Sequence, residues 1–348
     1  DYTIAIGHGA MGGAEIGDGN IAIGYQSMQN ANAAGFHRNV AIGYQTMANV
    51  GSNSATDNIA IGYQALNDIN STAVGNVAIG SYSGDAITSG DYNVSIGENS
   101  LSSATSGGSN IGIGRLAGAN HTTANLNMYI GYAAGYSNQT GTGNTIVGNN
   151  SYGQSVVAGL NISNVTTLGH EAGYYATGSS NTFIGAEAGK GNSSAPYSSG
   201  QRNTAVGYKA IKDFTTQGNM VAIGYGAAES GGGTKSVYIG EHAGKDSTSG
   251  TNVLVGYRAG YSMTDSNRTT AIGHQSLYNL TYSGYSKATA VGFNALRNFV
   301  SGQGNTALGY QVGYDATGEE NTIVGSEAGY YLVGNESVHI GNQAGYYA

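Results

Sequence analysis

The chain has 348 residues, with 60 Gly, one Pro, no Cys and no Trp, and its formal net charge is −8. Its 12 Lys and Arg are scattered singly, which argues against nucleic acid or an anionic membrane as a partner. No apolar run is long enough to span a bilayer, yet 39% hydrophobic residues are too many for a disordered chain.

One short motif recurs from the first residues to the last, and each copy carries a marker glycine. Successive markers are 16 to 22 residues apart, which suits one turn of a β-solenoid and is too short for a pair of helices. The sequence therefore predicts an all-β parallel solenoid of about twenty rungs, forming one elongated domain over residues 1–348 without a linker. The markers are Gly7, Gly24, Gly43, Gly62, Gly80, Gly97, Gly114, Gly131, Gly148, Gly169, Gly185, Gly207, Gly224, Gly240, Gly256, Gly273, Gly292, Gly309, Gly325 and Gly341.

Positions in a repeat are numbered from its marker glycine, so that Ile23 is at −1 of the repeat of Gly24. Position −1 is always Ile, Val or Leu, and position −3 is Ile, Val, Thr or Met. Residues two apart on a strand face the same way, so both positions are predicted to form the core. Position +3 is small in every copy but one and is predicted to face inward from a second strand. The marker glycine is expected at the bend, with positive φ or a close backbone approach.

Two further positions follow the same pattern. Position −4 is Asn in thirteen copies, which predicts a corner and hydrogen bonds between stacked Asn side chains. Position +4 is Gly in ten copies and Met, Leu or Ile in eight. Because Tyr often follows that Gly, the Gly-Tyr pair and the large side chain are interpreted as alternative fillings of one space.

Position −2 is never charged and is predicted to lie outside, opposite the core. An apolar stripe along a β surface is an aggregation hazard unless it is covered, and a second copy of the chain is the simplest cover. The predicted self-association stripe consists of Ala5, Ala22, Ala41, Ala60, Ala78, Ala205, Ala222, Ala271, Ala290 and Ala307.

The combination Asn-[Val/Ile/Thr]-Ala-[Ile/Val]-Gly-x-x-[Ser/Ala] resembles the head repeat of trimeric autotransporter adhesins and similar repeats in phage tail fibres. The resemblance covers essentially the whole chain. It implies a left-handed parallel β-roll, a homotrimer packed side by side, and adhesion to a surface outside the cell or on a virion. Because the rungs are longer than those of the family's heads, a two-sided roll and a three-sided helix both stay open.

The sequence predicts no catalytic, cofactor or metal site, since no His has a partner at metal-ligand spacing and no carboxylate cluster recurs. A Tyr row at position +1, with Tyr25, Tyr44 and Tyr63, favours stacking between rungs over stacking on sugar rings. Glycan acceptors are expected only if the producing cell modifies Asn-x-Ser/Thr sites. The candidates are Asn70, Asn93, Asn120, Asn138, Asn149, Asn161, Asn164, Asn192, Asn267, Asn279 and Asn335.

The predicted function is that of a non-catalytic extracellular fibre, at a cell or virion surface, which presents a repetitive surface for attachment. The alternative is a subunit of a self-assembling and glycosylated filament joined head to tail, because neither end of the sequence carries a polar cap. Expected partners are further copies of the chain and surface glycans.

Overall fold

A computed structural model of the chain describes residues 2–13, 17–31, 34–50, 54–69, 72–153, 160–194, 197–281 and 284–348. The chain divides into two compact units, residues 1–174 and 175–348. Each unit is a parallel β-solenoid, as the repeat predicted. In these described ranges there is no helix long and apolar enough to cross a membrane. The expectation of a single domain over residues 1–348 stays a prediction.

Ten strands of three residues build the sheet of the first unit. They are β1 (Ile4–Ile6), β2 (Ile21–Ile23), β3 (Val40–Ile42), β4 (Ile59–Ile61), β5 (Val77–Ile79), β6 (Val94–Ile96), β7 (Ile111–Ile113), β8 (Met128–Ile130), β9 (Thr145–Val147) and β10 (Thr166–Leu168). Each strand pairs in parallel with the next, so equivalent positions of successive repeats lie side by side.

The second unit repeats this arrangement and adds a small second sheet. Its strands are β11 (Thr182–Ile184), β12 (Thr204–Val206), β13 (Val221–Ile223), β14 (Val237–Ile239), β15 (Val253–Val255), β16 (Ser266–Asn267), β17 (Thr270–Ile272), β18 (Gly284–Tyr285), β19 (Thr289–Val291), β20 (Thr306–Leu308), β21 (Thr322–Val324) and β22 (Val338–Ile340). Strands β16 and β18 pair with each other, and the others form a parallel sheet.

A marker glycine directly follows each three-residue strand, and we call these the principal strands. Both reasons predicted for the glycine hold. Gly43 has a φ of +140°, a conformation that side-chain-bearing residues rarely adopt. A Cβ on Gly43 would lie 2.4 Å from the carbonyl oxygen of Gly62 in the next rung. The stack therefore requires glycine here for its backbone conformation and for its lack of volume.

The predicted direction of the strand side chains is wrong. Position −2 points into the solenoid, and Ala22, Ala41 and Ala60 have no exposed surface. Positions −1 and −3 point outward, so the predicted core of Ile and Val forms an outer face instead. The predicted self-association stripe is therefore buried at Ala22, Ala41, Ala60, Ala78, Ala205, Ala222, Ala271, Ala290 and Ala307, while Ala5, in the first strand, is exposed.

The physical reason is that three other positions fill the interior. Position +3 faces inward, as predicted, with Ser27 fully buried, but it lies in a run of turns and not on the predicted second strand. Position +4 also faces inward, with Met28 fully buried, and position +7 adds residues such as Ile69 and Phe214. In a rung whose position +4 is large, the interior has room at position −2 for little more than a methyl group.

Positions −2 and +4 share one space, and the filling alternates between them. Where position −2 is Ala, as at Ala271, position +4 is often large, as at the buried Leu277. Where position −2 is large, position +4 is usually Gly, and a Cβ on Gly260 would lie 2.7 Å from Leu254 Cδ1. The alternation predicted at +4 is therefore real, but the side chain that replaces Met or Leu comes from position −2 rather than from the following Tyr.

The Asn residues at position −4 form a buried ladder, as predicted. Asn58 Nδ2 donates to Asn39 Oδ1 at 3.0 Å and to the carbonyl of Ala73 at 3.0 Å. The next residue in the ladder, Asn76, donates its backbone N–H to Asn58 Oδ1 at 2.9 Å. The positive φ of the corner belongs to the residue before the Asn, as at Asp57. Each Asn thus satisfies buried polar groups of its own rung and of its neighbours.

Candidate functional site

The outward side chains of each sheet form one continuous surface, which we call the aliphatic face. It consists of positions −3 and −1 of the principal strands, for example Ile59 and Ile61 of β4, which are 39% and 36% exposed. Parallel pairing places Ile59 beside Val77 and Ile61 beside Ile79. The result is two straight rows of branched side chains in each unit.

The aliphatic face is uncharged and large. No Asp, Glu, Lys or Arg occupies position −3 or −1 of any repeat, although Thr replaces the aliphatic residue at −3 in several strands, from Thr145 in β9 onward. Ten strands about 4.8 Å apart and about 10 Å long cover roughly 500 Å² in each unit. That area lies within the range of the largest apolar patch on a typical monomer.

The aromatic residues at position +1 stack between rungs, which is the interpretation that the sequence favoured. Tyr25 and Tyr44 have ring centroids 5.0 Å apart, and Tyr44 and Tyr63 lie 5.3 Å apart with an angle of 10° between planes. His8 continues the row below Tyr25 at 5.3 Å. Because the ring faces cover one another, the row presents ring edges and hydroxyls outward.

The candidate glycan acceptors differ in their exposure. Asn149, Asn161, Asn164 and Asn335 are exposed, and Asn120, Asn192, Asn267 and Asn279 are partly exposed. Asn70 lies outside the described residues.

Two of the candidates cannot be acceptors in the folded chain. Asn93 is fully buried in the Asn ladder, where its Nδ2 donates to Asn76 Oδ1 at 3.1 Å. Asn138 is also buried, and its Nδ2 donates to the hydroxyl of Tyr129 at 2.8 Å. In both residues the amide nitrogen that would carry the glycan is already bonded inside the solenoid.

His121 and Asp85 are among the titratable side chains whose pKa values lie far from their usual range. His121 occupies the interior position +7, where burial lowers its pKa to about 4 and the backbone of Ala124 partly offsets the shift. Burial, with a contribution from the charge of Asp68, raises the pKa of Asp85 to about 6. Burial is the first cause in both cases, so His121 is a neutral interior residue at pH 7 rather than a base in a cleft.

A polar groove of about 480 Å³ lies in the second unit, lined in part by Tyr175, Lys190, Lys212 and Asp213. Lys212 Nζ is 3.9 Å from Asp213, and Lys190 Nζ is 3.8 Å from Glu187. Each cation of the groove is therefore close to a carboxylate. Across the residues that the structure describes, no group of three His, Asp or Glu side chains could hold a metal ion.

Comparison with known protein families finds no family model that matches the chain, and comparison with curated proteins finds no significant match.

Proposed function

We propose that this chain is a structural protein, without a catalytic role, that builds an extracellular attachment fibre by packing the aliphatic faces of several copies together. The observation that carries the proposal is the outward direction of Ile and Val at positions −3 and −1. Full burial of an exposed branched aliphatic side chain contributes about 1.5–3 kcal/mol. The side chains of the face still expose about a third of their surface, as at Ile61 with 36%, so each adds a fraction of that value, summed along two rows.

A second copy of the chain is the cover that the face fits best. Two flat rows with equal spacing can pack against the same rows of a copy, as the inner faces of two sheets do in a β-sandwich. A pair of faces from one unit each would bury roughly 1,000 Å², which approaches the size of a stable specific interface. The absence of charge at −3 and −1 means that no desolvated ion opposes this contact.

Repetition itself supports a structural role. A catalytic centre needs different side chains converging at one place, whereas the solenoid places the same residue types at the same position in rung after rung. With the aliphatic faces buried between copies, the stacked Tyr25, Tyr44 and Tyr63 would give a fibre many equal contact sites. Attachment through many weak and equal contacts gains strength by multivalency.

The test is a charge substitution on the face with a matched control. Ile61→Glu combined with Ile79→Glu places two carboxylates on neighbouring rungs, at side chains that are 36% and 37% exposed and do not build the interior. Sedimentation should then show dissociation into single chains, with an unchanged circular dichroism spectrum. The control, Gln45→Glu with Gln64→Glu, adds the same charge beside the Tyr row and should leave association intact. A wild-type chain that stays monomeric at all concentrations would refute the proposal.

A glycan-coated filament is the second candidate, and the exposure of four sequon asparagines favours it. Asn149, Asn161, Asn164 and Asn335 can carry a sugar without disturbing the buried ladder. Mass spectrometry of the native chain tests this candidate. Hexosamine at these four residues and none at the buried Asn93 would support it, and a lack of modification at every exposed or partly exposed candidate would exclude it.

A further inference from the structure

The second unit carries two rows of aromatic side chains beside its bends. The first row, at position +1, runs through Tyr257, His274, Phe293 and Tyr310, with ring centroids 4.9, 4.8 and 5.5 Å apart. Phe293 is 43% exposed and Tyr310 is 50% exposed. Angles of 11° to 21° between planes make this a regular stack.

The second row, at position +5, mixes rings with cations. Tyr261 and Tyr278 stack at 5.0 Å with an angle of 2° between planes. Arg297 follows, with its guanidinium 5.2 Å from the Tyr278 ring and 5.7 Å from the Tyr314 ring. Tyr314 then stacks on Tyr330 at 5.0 Å. In this row a planar cation stands in for a ring without breaking the stack.

The two rows are edges of one surface. Arg258, at position +2 between them, lies 4.9 Å from the ring of Tyr257 and 5.3 Å from that of Tyr261. Gln275 occupies position +2 of the next rung, and its Oε1 accepts a hydrogen bond from Nε of Arg297, which lies one rung beyond it, at 3.1 Å. We call positions +1, +2 and +5 of these rungs the corner surface. It is separate from the aliphatic face, which is built from positions −3 and −1.

Charge is concentrated along this part of the chain. Residues 241–297, which span the rungs of Gly240 to Gly292, contain five of the 12 Lys and Arg and three carboxylates, Glu241, Asp246 and Asp265, in a chain whose net charge is −8. Three of these cations, Lys245, Arg258 and Arg297, lie against the rings of the corner surface, and Lys245 Nζ is 5.3 Å from the Tyr261 ring. The potential here should therefore attract an anion, against the charge of the whole chain.

We propose that the corner surface of the second unit binds a linear acidic polysaccharide that lies along the stack of rungs. Rungs about 4.8 Å apart offer hydrogen-bond donors at regular intervals to an extended polysaccharide that lies along them. Its carboxylates pair with the positive charges of Arg258 and Arg297. Arg297 Nε and Nη1 already donate hydrogen bonds within the surface, which leaves Nη2 for a carboxylate. The hydroxyls of the polysaccharide bond to the Tyr hydroxyls and to Gln275.

The mutual stacking of the rings decides how the sugar is held. Both faces of an inner ring such as Tyr278 are covered, by Tyr261 on one side and by Arg297 on the other. Sugar rings therefore meet ring edges, hydroxyls and guanidinium groups rather than open aromatic faces. Binding should then be driven by charge and hydrogen bonds, and it should weaken as salt is raised.

The experiment measures binding of alginate, a linear uronate polymer, to the whole chain by calorimetry at low and physiological salt. The test variant is Arg258→Gln with Arg297→Gln, which keeps hydrogen-bonding capacity and removes two charges. The control is Arg38→Gln with Arg115→Gln, which removes two charges from the first unit, where Arg38 pairs with Asp57 and Arg115 pairs with Glu98. Circular dichroism confirms that all variants fold.

The expected result is at least ten-fold weaker binding in the test variant and a change of less than two-fold in the control. Lack of alginate binding by the wild type, or equal losses in both variants, would overturn the proposal. So would equally tight binding of a neutral linear β-glucan, or of single-stranded oligothymidylate, because the surface would then not select an acidic sugar chain. The aliphatic-face variant Ile61→Glu with Ile79→Glu should bind alginate normally, which separates this proposal from lateral association.

Discussion

Exchange of the large and small residues at Leu254 and Gly260 tests how the interior is packed. Leu254 is fully buried at position −2, and Gly260 lies at position +4 of the same repeat. Their neighbours one rung further are Ala271 and Leu277, the same pair with the sizes reversed. The double variant Leu254→Ala with Gly260→Leu therefore rebuilds an arrangement that the chain already uses.

Each single change should be costly. Leu254→Ala leaves a cavity worth about 2–5 kcal/mol. Gly260→Leu forces an overlap with Leu254, since a Cβ there lies 2.7 Å from Leu254 Cδ1, and this adds about 1–3 kcal/mol. Its left-handed backbone, with φ +60°, costs about 1–2 kcal/mol more. In the double variant the cavity and the overlap cancel, so a coupling free energy of about 3 kcal/mol is expected.

Hydrogen exchange of the residue 260 amide is the assay. This N–H donates to the carbonyl of Ser276 at 2.9 Å, so its exchange reports opening of this rung. A local probe is needed because long repeat arrays need not unfold in one step. Loss of protection in both single variants, with protection regained in the double variant, is the expected result. If the losses of protection in the two single variants simply add in the double variant, residues 254 and 260 do not share one space.

Two further predictions concern single residues. His121 has a folded pKa of about 4, below the usual value near 6.5, so the unfolded chain takes up this proton first and the contribution of His121 to stability falls by about 3 kcal/mol as pH drops from 6.5 to 4. The raised pKa of Asp85 acts in the opposite direction. Hydrogen exchange of the residue 121 amide, which donates to the Gly118 carbonyl at 3.0 Å, checks this in wild type and His121→Leu at pH 7 and pH 4, and an equal loss of protection in both proteins would contradict it. Gly43→Ala should abolish exchange protection around its rung, because the new Cβ would lie 2.4 Å from a backbone oxygen. Gly341→Ala, with nothing closer than 3.8 Å to its Cβ, should cost only the backbone strain of about 1–3 kcal/mol; equal effects at the two glycines would show that close approach is not the cause.

The sequence was sufficient for the rungs but not for the direction of their side chains. The recurring motif around each marker glycine predicted the parallel stack of rungs. The φ of +140° at Gly43 confirms the role predicted for the glycine. A strand of three residues such as Val40–Ile42 alternates with a period of two whichever side is inside, so the pattern alone cannot choose. Hydrophobicity favoured Val40 and Ile42 as the core. Met47 and the equivalent residues fill the interior, so the small Ala41 faces inward and Val40 and Ile42 face outward. The sequence does not show that the bend turns Met47 inward.

The surface sites were predictable to a different extent. Stacking of Tyr25 on Tyr44 follows directly from their equivalent positions in neighbouring rungs. The contact of Arg258 with Tyr257 and Tyr261 does not, because position +2 lies in a bend whose left-handed backbone directs the side chain between two rows. Burial of Asn93 was implied by its place in the Asn ladder, although its Asn-x-Ser pattern suggested an exposed acceptor.

Thiol labelling of single-cysteine variants tests most directly whether Ile and Val form the outer, self-associating face. The chain has no cysteine, so Ala60→Cys and Ile61→Cys each introduce one thiol, at neighbouring positions with 0% and 36% exposure. For dissociated chains we expect rapid labelling at position 61 and protection at position 60. In the assembled material position 61 should become protected as well. Rapid labelling at position 60 with protection at position 61 in dissociated chains would place the Ile and Val rows inside and contradict the account.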